Sequence, residues 1–340
     1  MSIGLRDVLV WVLVAATGSP ALPGWAEAAG ATEHETHDSV ARAPEVLRWD
    51  AGAFSFSVTA TPGRDYDAEL RFASPLPSGD PVLDTVVLRW YRARQAAVPG
   101  DIPGAGVLLV HTLHPDMPVA TFLARGLRQR GVDAFVIELP GYASRVGAER
   151  RFTGATTLIR GAQAVTDCRR AFDVIRSVLS AARGVNHGGA GPTVAIQGTS
   201  LGSFVAASAA ALDGCFSQTF LYLSGGDGVD ILERGTKDAF HVRRALAHYG
   251  YTGDKLRALF EPVEPLRLAP RLDAQTTWMF NARDDLVVPA ENARRLADAI
   301  GLDDEHLVWM PGNHYTSFLL LPGVLDRIAK ELALAGAASD

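Results

Sequence analysis

The sequence predicts an α/β fold: a mostly parallel central sheet flanked by helices, opened by antiparallel N-terminal strands and carrying a small helical lid. Three observations carry that expectation. Residues 54–91 alternate apolar and polar side chains in short runs broken by Pro and Gly turns. From residue 104 onwards, short apolar runs take turns with stretches at helical spacing, the mark of repeated β-then-α units. Finally, Thr193-Val194-Ala195-Ile196-Gln197 leads into Gly198-Thr199-Ser200-Leu201-Gly202, and an Ala-rich helical run follows.

Bulk properties set the bounds. A chain of 340 residues with 48% hydrophobic side chains can bury a sizeable core. The net charge of −6 is mild and the basic residues are scattered, so nucleic acid is not an expected partner. Cys168 and Cys215 are the only cysteines, and no His/Cys cluster has metal-ligand spacing. Neither a metal, an organic cofactor nor a disulfide framework is therefore expected.

The N-terminus carries an address. Arg6 precedes an apolar run over 8–16, then a Pro/Gly stretch and Ala26-Glu27-Ala28. These are the n-region, h-region and small-x-small site of a secretory signal over 1–28. The run is shorter than the about 20 residues that span a bilayer. A secreted or periplasmic protein is expected, with membrane contact only if this segment stays uncleaved as an anchor. Residues 29–44 are polar and aperiodic and read as a disordered linker, which leaves 45–335 as the folded domain.

Within that domain, runs 54–58, 68–72 and 85–91 read as the antiparallel strands. Run 106–110 is continuously apolar, as for a strand buried on both faces. Residues 118–130 put Phe122, Leu123, Gly126 and Leu127 on one helical face, Gly131 ends the helix, and 132–139 is the next strand. Leu158, Ala162, Val165, Phe172, Ile175 and Leu179 recur at helical spacing, with Cys168 beside that stripe as a small core residue. The Gly-rich run 184–191 lacks Gly-Lys-Ser/Thr and reads as a loop. Later strands are expected at 217–223, 276–280 and 307–310, and helices at 290–300 and 318–334. The helix-rich segment 225–272 interrupts this alternation and reads as a lid, whose Phe240, Tyr249, Tyr251 and Phe260 would line a modest pocket.

Chemistry in such sheets gathers at the carboxyl ends of the strands. A serine on a sharp strand-to-helix turn needs small neighbours, here Gly198 and Gly202, because strand and helix approach closely. The helix starting near Leu201 aims its N–H groups where an oxyanion would form. A serine hydroxyl becomes a nucleophile only beside a base, and the base needs an orienting acid. His314, in Met310-Pro311-Gly312-Asn313-His314 beyond the last strand, is the candidate base; the alternative is an ordinary surface-loop histidine. Asp285, beyond the penultimate strand, is the candidate acid. Asp284 is the fallback, and Asp227 after the preceding strand is a third choice.

Gly198-Thr199-Ser200-Leu201-Gly202, Asp285-Leu286-Val287-Val288-Pro289 and Gly312-Asn313-His314 together resemble the α/β-hydrolase superfamily over roughly residues 85–335. Leu139-Pro140-Gly141-Tyr142 is similar to the Pro-Gly loop that many members carry after the fourth strand. The resemblance implies Ser200 as nucleophile, His314 as base and then acid, Asp285 as orienting carboxylate, and the Leu201 N–H as an oxyanion donor. One motif departs. Many members have His-Gly after the third strand, whereas this chain has His111-Thr112-Leu113. The N–H of Leu113 is the position-matched second donor and that of Thr112 its neighbour; such a donor is worth about 3–4 kcal/mol of barrier. His111 and His114 read as substrate contacts, or His111 as a buried strand-end residue.

The expected activity is hydrolysis of a small-molecule carboxylic ester through a Ser200 acyl-enzyme. One alternative is a peptidase or amidase of the prolyl-peptidase-like branch, against which Ser203 speaks, since that branch often has a further Gly there. The other is a catalytically weak binding scaffold of the same fold, for which Thr112 speaks.

Overall fold

Antiparallel backbone pairing builds the entrance to the sheet. A computed structural model describes residues 28–34, 44–49, 52–94, 104–147, 160–183 and 191–337, and in it ten strands form one sheet. Strands β1 (Ala28–His34), β2 (Ala53–Ala60), β3 (Ala68–Ala73) and β4 (Thr85–Tyr91) pair antiparallel, each with the next. Along β3, Ala68, Leu70 and Phe72 are buried while Glu69 and Arg71 turn outward. The stretch 29–44 expected as a disordered linker thus holds most of β1. Edge pairing runs through backbone groups, which a polar sequence supplies as well as an apolar one, so composition missed it. The signal segment expected over 1–28 lies outside the described residues except for Ala28, as do Leu158 and all of 184–191 but Gly191.

The rest of the sheet is parallel. Strand β5 (Ala105–Val110) is followed by α1 (Pro118–Gln129), β6 (Asp133–Ile137), α2 (Gly161–Arg183) and β7 (Thr193–Thr199). Then come α3 (Leu201–Asp213) and β8 (Thr219–Tyr222). Helices α4 (Gly228–Arg234), α5 (Asp238–His248) and α6 (Gly253–Phe260), with a short helical turn over Pro265–Leu268, precede β9 (Thr277–Ala282). Helix α7 (Ala290–Ile300), β10 (Leu307–Met310) and α8 (Leu321–Ala337) close the chain. The strand order is β1-β2-β3-β4-β6-β5-β7-β8-β9-β10, and every pair from β6 onward in that order is parallel.

Burial on both faces follows from this layering. Leu108 and Val110 of β5 join α2 and α3 through Val165, Cys168, Ile175 and Val205. Val107 and Leu109 face the other way, onto Leu123 and Leu127 of α1 and Ile328 of α8. Cys168 is fully buried, as expected of a core residue, and both cysteines are free. The last helix begins three residues later than the periodicity suggests, because a 3-10 turn over Thr316–Leu320 comes first.

Helices α4 to α6 carry a small apolar cluster of their own. Ile231, Leu232, Val242 and Leu256 pack with Val287 and Val288, which follow β9. Glu264 accepts the N–H groups of Asp227 and Gly228, both at 2.8 Å, and so holds the start of α4. Among the described residues no helix is long and apolar enough to cross a membrane.

Candidate active site

Strand β7 ends at Thr199 and α3 begins at Leu201, so Ser200 alone makes the turn. Its backbone sits at φ 52°, ψ −118°, a left-handed φ that costs a non-glycine residue about 1–3 kcal/mol. Surrounding bonds hold it there. The Ser200 N–H donates to the Tyr222 carbonyl at 2.8 Å. The Ser203 N–H and hydroxyl both donate to the Ser200 carbonyl, at 2.8 and 2.6 Å. A Cβ at Gly198 would strike the Gly202 carbonyl, and one at Gly202 would strike that of Val110. Both positions of the motif are therefore glycine for want of space.

His314 reaches this turn from the loop after β10. Its Nε2 lies 3.1 Å from Ser200 Oγ, and its Nδ1 lies 2.7 Å from Asp285 Oδ2. The other oxygen of Asp285 accepts the N–H groups of Val287 and Val288, at 2.8 and 2.9 Å. With Oδ1 occupied in this way, Oδ2 faces the imidazole, so Nδ1–H donates to it and Nε2 accepts the serine proton. Ser200, His314 and Asp285 are all buried. The Arg283 and Asp284 N–H groups donate to the Met310 and Gly312 carbonyls, both at 3.0 Å, which ties the acid loop to the histidine loop.

No protein-family model and no curated protein sequence matches the chain. Solved structures do. An acetyl xylan esterase from Paenibacillus sp. R4 superposes with a TM-score of 0.57 at 13% identity, over 81% of this chain and 88% of that one. A cold-adapted esterase from an Arctic intertidal metagenomic library, with PEG bound, gives 0.51 at 18%, over 77% and 93%. A puromycin hydrolase gives 0.53 at 13%, over 85% of this chain and 47% of that one. The chain has the α/β-hydrolase fold.

In this α/β-hydrolase fold the two fallback acids stand away from the imidazole. Asp284 is exposed. Asp227 caps α4, accepting the Asp230 N–H at 3.1 Å, and lies 3.5 Å from Arg295. Neither side chain forms a hydrogen bond or ion pair with His314, whose ring nitrogens face Asp285 and Ser200.

Opposite the serine, Leu113 and Leu201 line the same cavity as Ser200. Leu201 is the first residue of α3, so its N–H has no partner within the helix. Among the described residues, neither this N–H nor that of Leu113 donates to a protein acceptor. Thr112 is not among the described residues with a positive φ, so the loop needs no glycine there.

His111 does not face the cavity. It is fully buried; Nδ1–H donates to the Thr112 carbonyl at 2.6 Å and Nε2 accepts the Leu139 N–H at 3.2 Å. Its ring meets that of Tyr142 edge-on with centroids 4.8 Å apart. Burial pushes its pKa down to about 4 and keeps it neutral. His111 thus pins the Thr112–Leu113 backbone to the loop after β6, and His114 is exposed beside Asp116.

The cavity of about 100 Å³ lies between the elbow and the lid. Phe260 lines it, but Phe240 and Tyr249 are 37% and 52% exposed and Tyr251 packs in the lid's own cluster. On α5 the lining is aliphatic where an aromatic residue was expected, because the helix turns Phe240 outward and Val242 inward. Sequence reasoning also missed Thr236, Asp238 and Tyr315. The Tyr315 hydroxyl donates to Asp238 Oδ2 at 3.1 Å, across the gap between histidine loop and lid. No local pattern marks that contact. Among the described residues, no group of three His, Cys, Asp or Glu side chains is placed to hold a metal ion.

Proposed function

We propose that this protein is a serine hydrolase that cleaves a small-molecule carboxylic ester through a covalent acyl-enzyme on Ser200. One observation carries the reading: the continuous hydrogen-bonded line from Ser200 Oγ through His314 to Asp285, with links of 3.1 and 2.7 Å. Ser200 Oγ attacks the ester carbonyl carbon as its proton passes to His314 Nε2. The carbonyl oxygen, now an anion, takes the N–H groups of Leu201 and Leu113, with Thr112 as neighbour to the second. Asp285 stabilises the imidazolium that forms. His314 then gives the proton to the departing alkoxide, which leaves as alcohol. Water repeats the sequence in reverse, releases the acid and restores Ser200. Two of the structural neighbours are esterases by name, which supports an ester as the bond cleaved.

A fluorophosphonate probe tests the nucleophile. The wild type labels and Ser200→Ala does not; equal labelling of both would discard Ser200. A p-nitrophenyl ester and the matching p-nitroanilide then separate ester from amide, and the ester is expected to turn over far faster. The segment over 1–28 is proposed as a cleaved secretory signal, and the N-terminal sequence of the exported protein tests it.

A further inference from the structure

The cavity beside Ser200 is walled by hydrocarbon. From the elbow come Leu201, Phe204 and Val205, and from the lid Leu232, Val242 and Phe260. Among its described lining residues only Ser200 and Asp238 carry polar side chains. One oxygen of Asp238, Oδ2, accepts the Tyr315 hydroxyl at 3.1 Å. Among the described residues, a polar substituent entering this space beyond reach of Ser200, Asp238 and the Leu113 and Leu201 N–H groups leaves water and meets only hydrocarbon. Each such unpaired group weakens binding roughly ten- to a hundredfold.

The wall on the lid side is fixed by a backbone feature. A Cβ at Gly228 would sit 2.7 Å from Phe260 Cδ1, so the ring lies directly on bare backbone and cannot retreat. With a volume of about 100 Å³, the space suits a short chain.

We propose that this cavity is an acyl-chain site, and that the substrates are esters of neutral, short aliphatic acids. Val242 and Phe260 set the length accepted. The inference rests on Ser200 being the residue acylated, and its test separates the two claims.

The test uses alkyl fluorophosphonates and p-nitrophenyl esters of matched chain length, from acetyl to decanoyl, on the whole protein. In the wild type, kcat/KM and the rate of Ser200 phosphonylation rise about fourfold for each methylene buried, then fall once the cavity is full. Esters with a terminal carboxylate on a chain of the same length react at least about tenfold more slowly. Val242→Phe moves the optimum towards acetate, and Phe260→Ala moves it towards longer chains. Thermal melting shows whether each variant is folded; if Val242→Phe is not, Phe260→Ala decides alone. A wild-type profile indifferent to chain length, or an optimum unmoved in Phe260→Ala, overturns the acyl site while leaving the serine chemistry standing. Failure of every probe to label Ser200 overturns both.

Discussion

Thr236, in the loop between α4 and α5, donates both its N–H and its hydroxyl to the carbonyl of Leu286, at 2.7 and 3.0 Å. Leu286 follows Asp285. Two residues further along the lid, Asp238 holds the hydroxyl of Tyr315, which follows His314. Between them Lys237 takes a left-handed φ of 52° and lays its ammonium 4.4 Å from the centre of the Tyr315 ring. One short lid segment therefore grips the neighbours of both the acid and the histidine, and any lid opening at this point loosens the pair. Thr236→Val removes one donor and keeps the backbone bond; Tyr315→Phe removes the other link. Each is expected to lower kcat about fivefold, the worth of about 1 kcal/mol of positioning, with KM nearly unchanged. Steady-state kinetics on a p-nitrophenyl ester reads this directly. A change confined to KM would mean that the segment only shapes the binding site.

Three carboxylates compete in the sequence for the role of orienting acid, and substitution distinguishes them. Asp285→Asn removes the acceptor that keeps the proton on Nδ1, and kcat is expected to fall on the order of 10⁴-fold. Asp284→Asn and Asp227→Asn are expected to stay within about twofold, because neither side chain is hydrogen-bonded to His314. A loss in Asp284→Asn as large as that in Asp285→Asn would reassign the acid.

His111 links the site to acid stability. Its ordinary pKa of 6.5 is depressed by burial to about 4 in the folded chain. Between those values the unfolded chain binds a proton and the folded chain does not, so stability rises with pH there. Lowering the pH from about 6.5 to about 4 therefore removes on the order of 3 kcal/mol through this one residue. Protonation would also place a hydrogen on Nε2, which now accepts the Leu139 N–H, and would break the link that steadies Leu113. Urea denaturation at pH 7 and pH 4 is expected to show this loss in the wild type. In His111→Gln the slope over that window flattens, with lower stability at pH 7. An unchanged slope would place the titration elsewhere.

Much of this architecture is legible in the sequence, where the signal is local. Helix α7 runs Ala290–Ile300 as read, because Pro289 stands before it and Gly301 follows at φ 85°. Strand β10 over Leu307–Met310 is equally local. Ser200, Asp285 and His314 stand out because each follows its own strand, in an order that one sheet brings to a single edge. What stayed hidden depends on through-space relationships. β1 is defined by its antiparallel pairing with β2, a partner about 20 residues or more away. The role of His111 turns on Leu139, which lies 28 residues away and meets it only because β5 and β6 pair. The lid's register over the loops decides both the Thr236 contact and which face of α5 lines the cavity, and helical periodicity alone cannot choose between Phe240 and Val242.

Gly198 and Gly202 provide the last test, because they separate space from flexibility as the reason for glycine. Neither has a positive φ, so an alanine would suffer no backbone strain of its own. The obstruction is backbone. A Cβ at Gly198 lies against the Gly202 carbonyl and 2.6 Å from Ser203 Cα, and a Cβ at Gly202 lies against the Val110 carbonyl and 2.6 Å from that of His111. A side chain can swing away from such a contact, whereas these carbonyls belong to α3 and to the end of β5. Relief therefore requires the elbow to move off β5, which carries Ser200 away from the Leu113 N–H at the same time. Gly202→Ala is expected to cost about 3 kcal/mol or more in chemical denaturation and to abolish ester turnover. Gly198→Ala strains the strand against its own helix and is expected to be at least as damaging. A stable, active Gly202→Ala would mean that α3 can slide over β5, and that the close approach at the elbow is not what holds Ser200 in its strained turn.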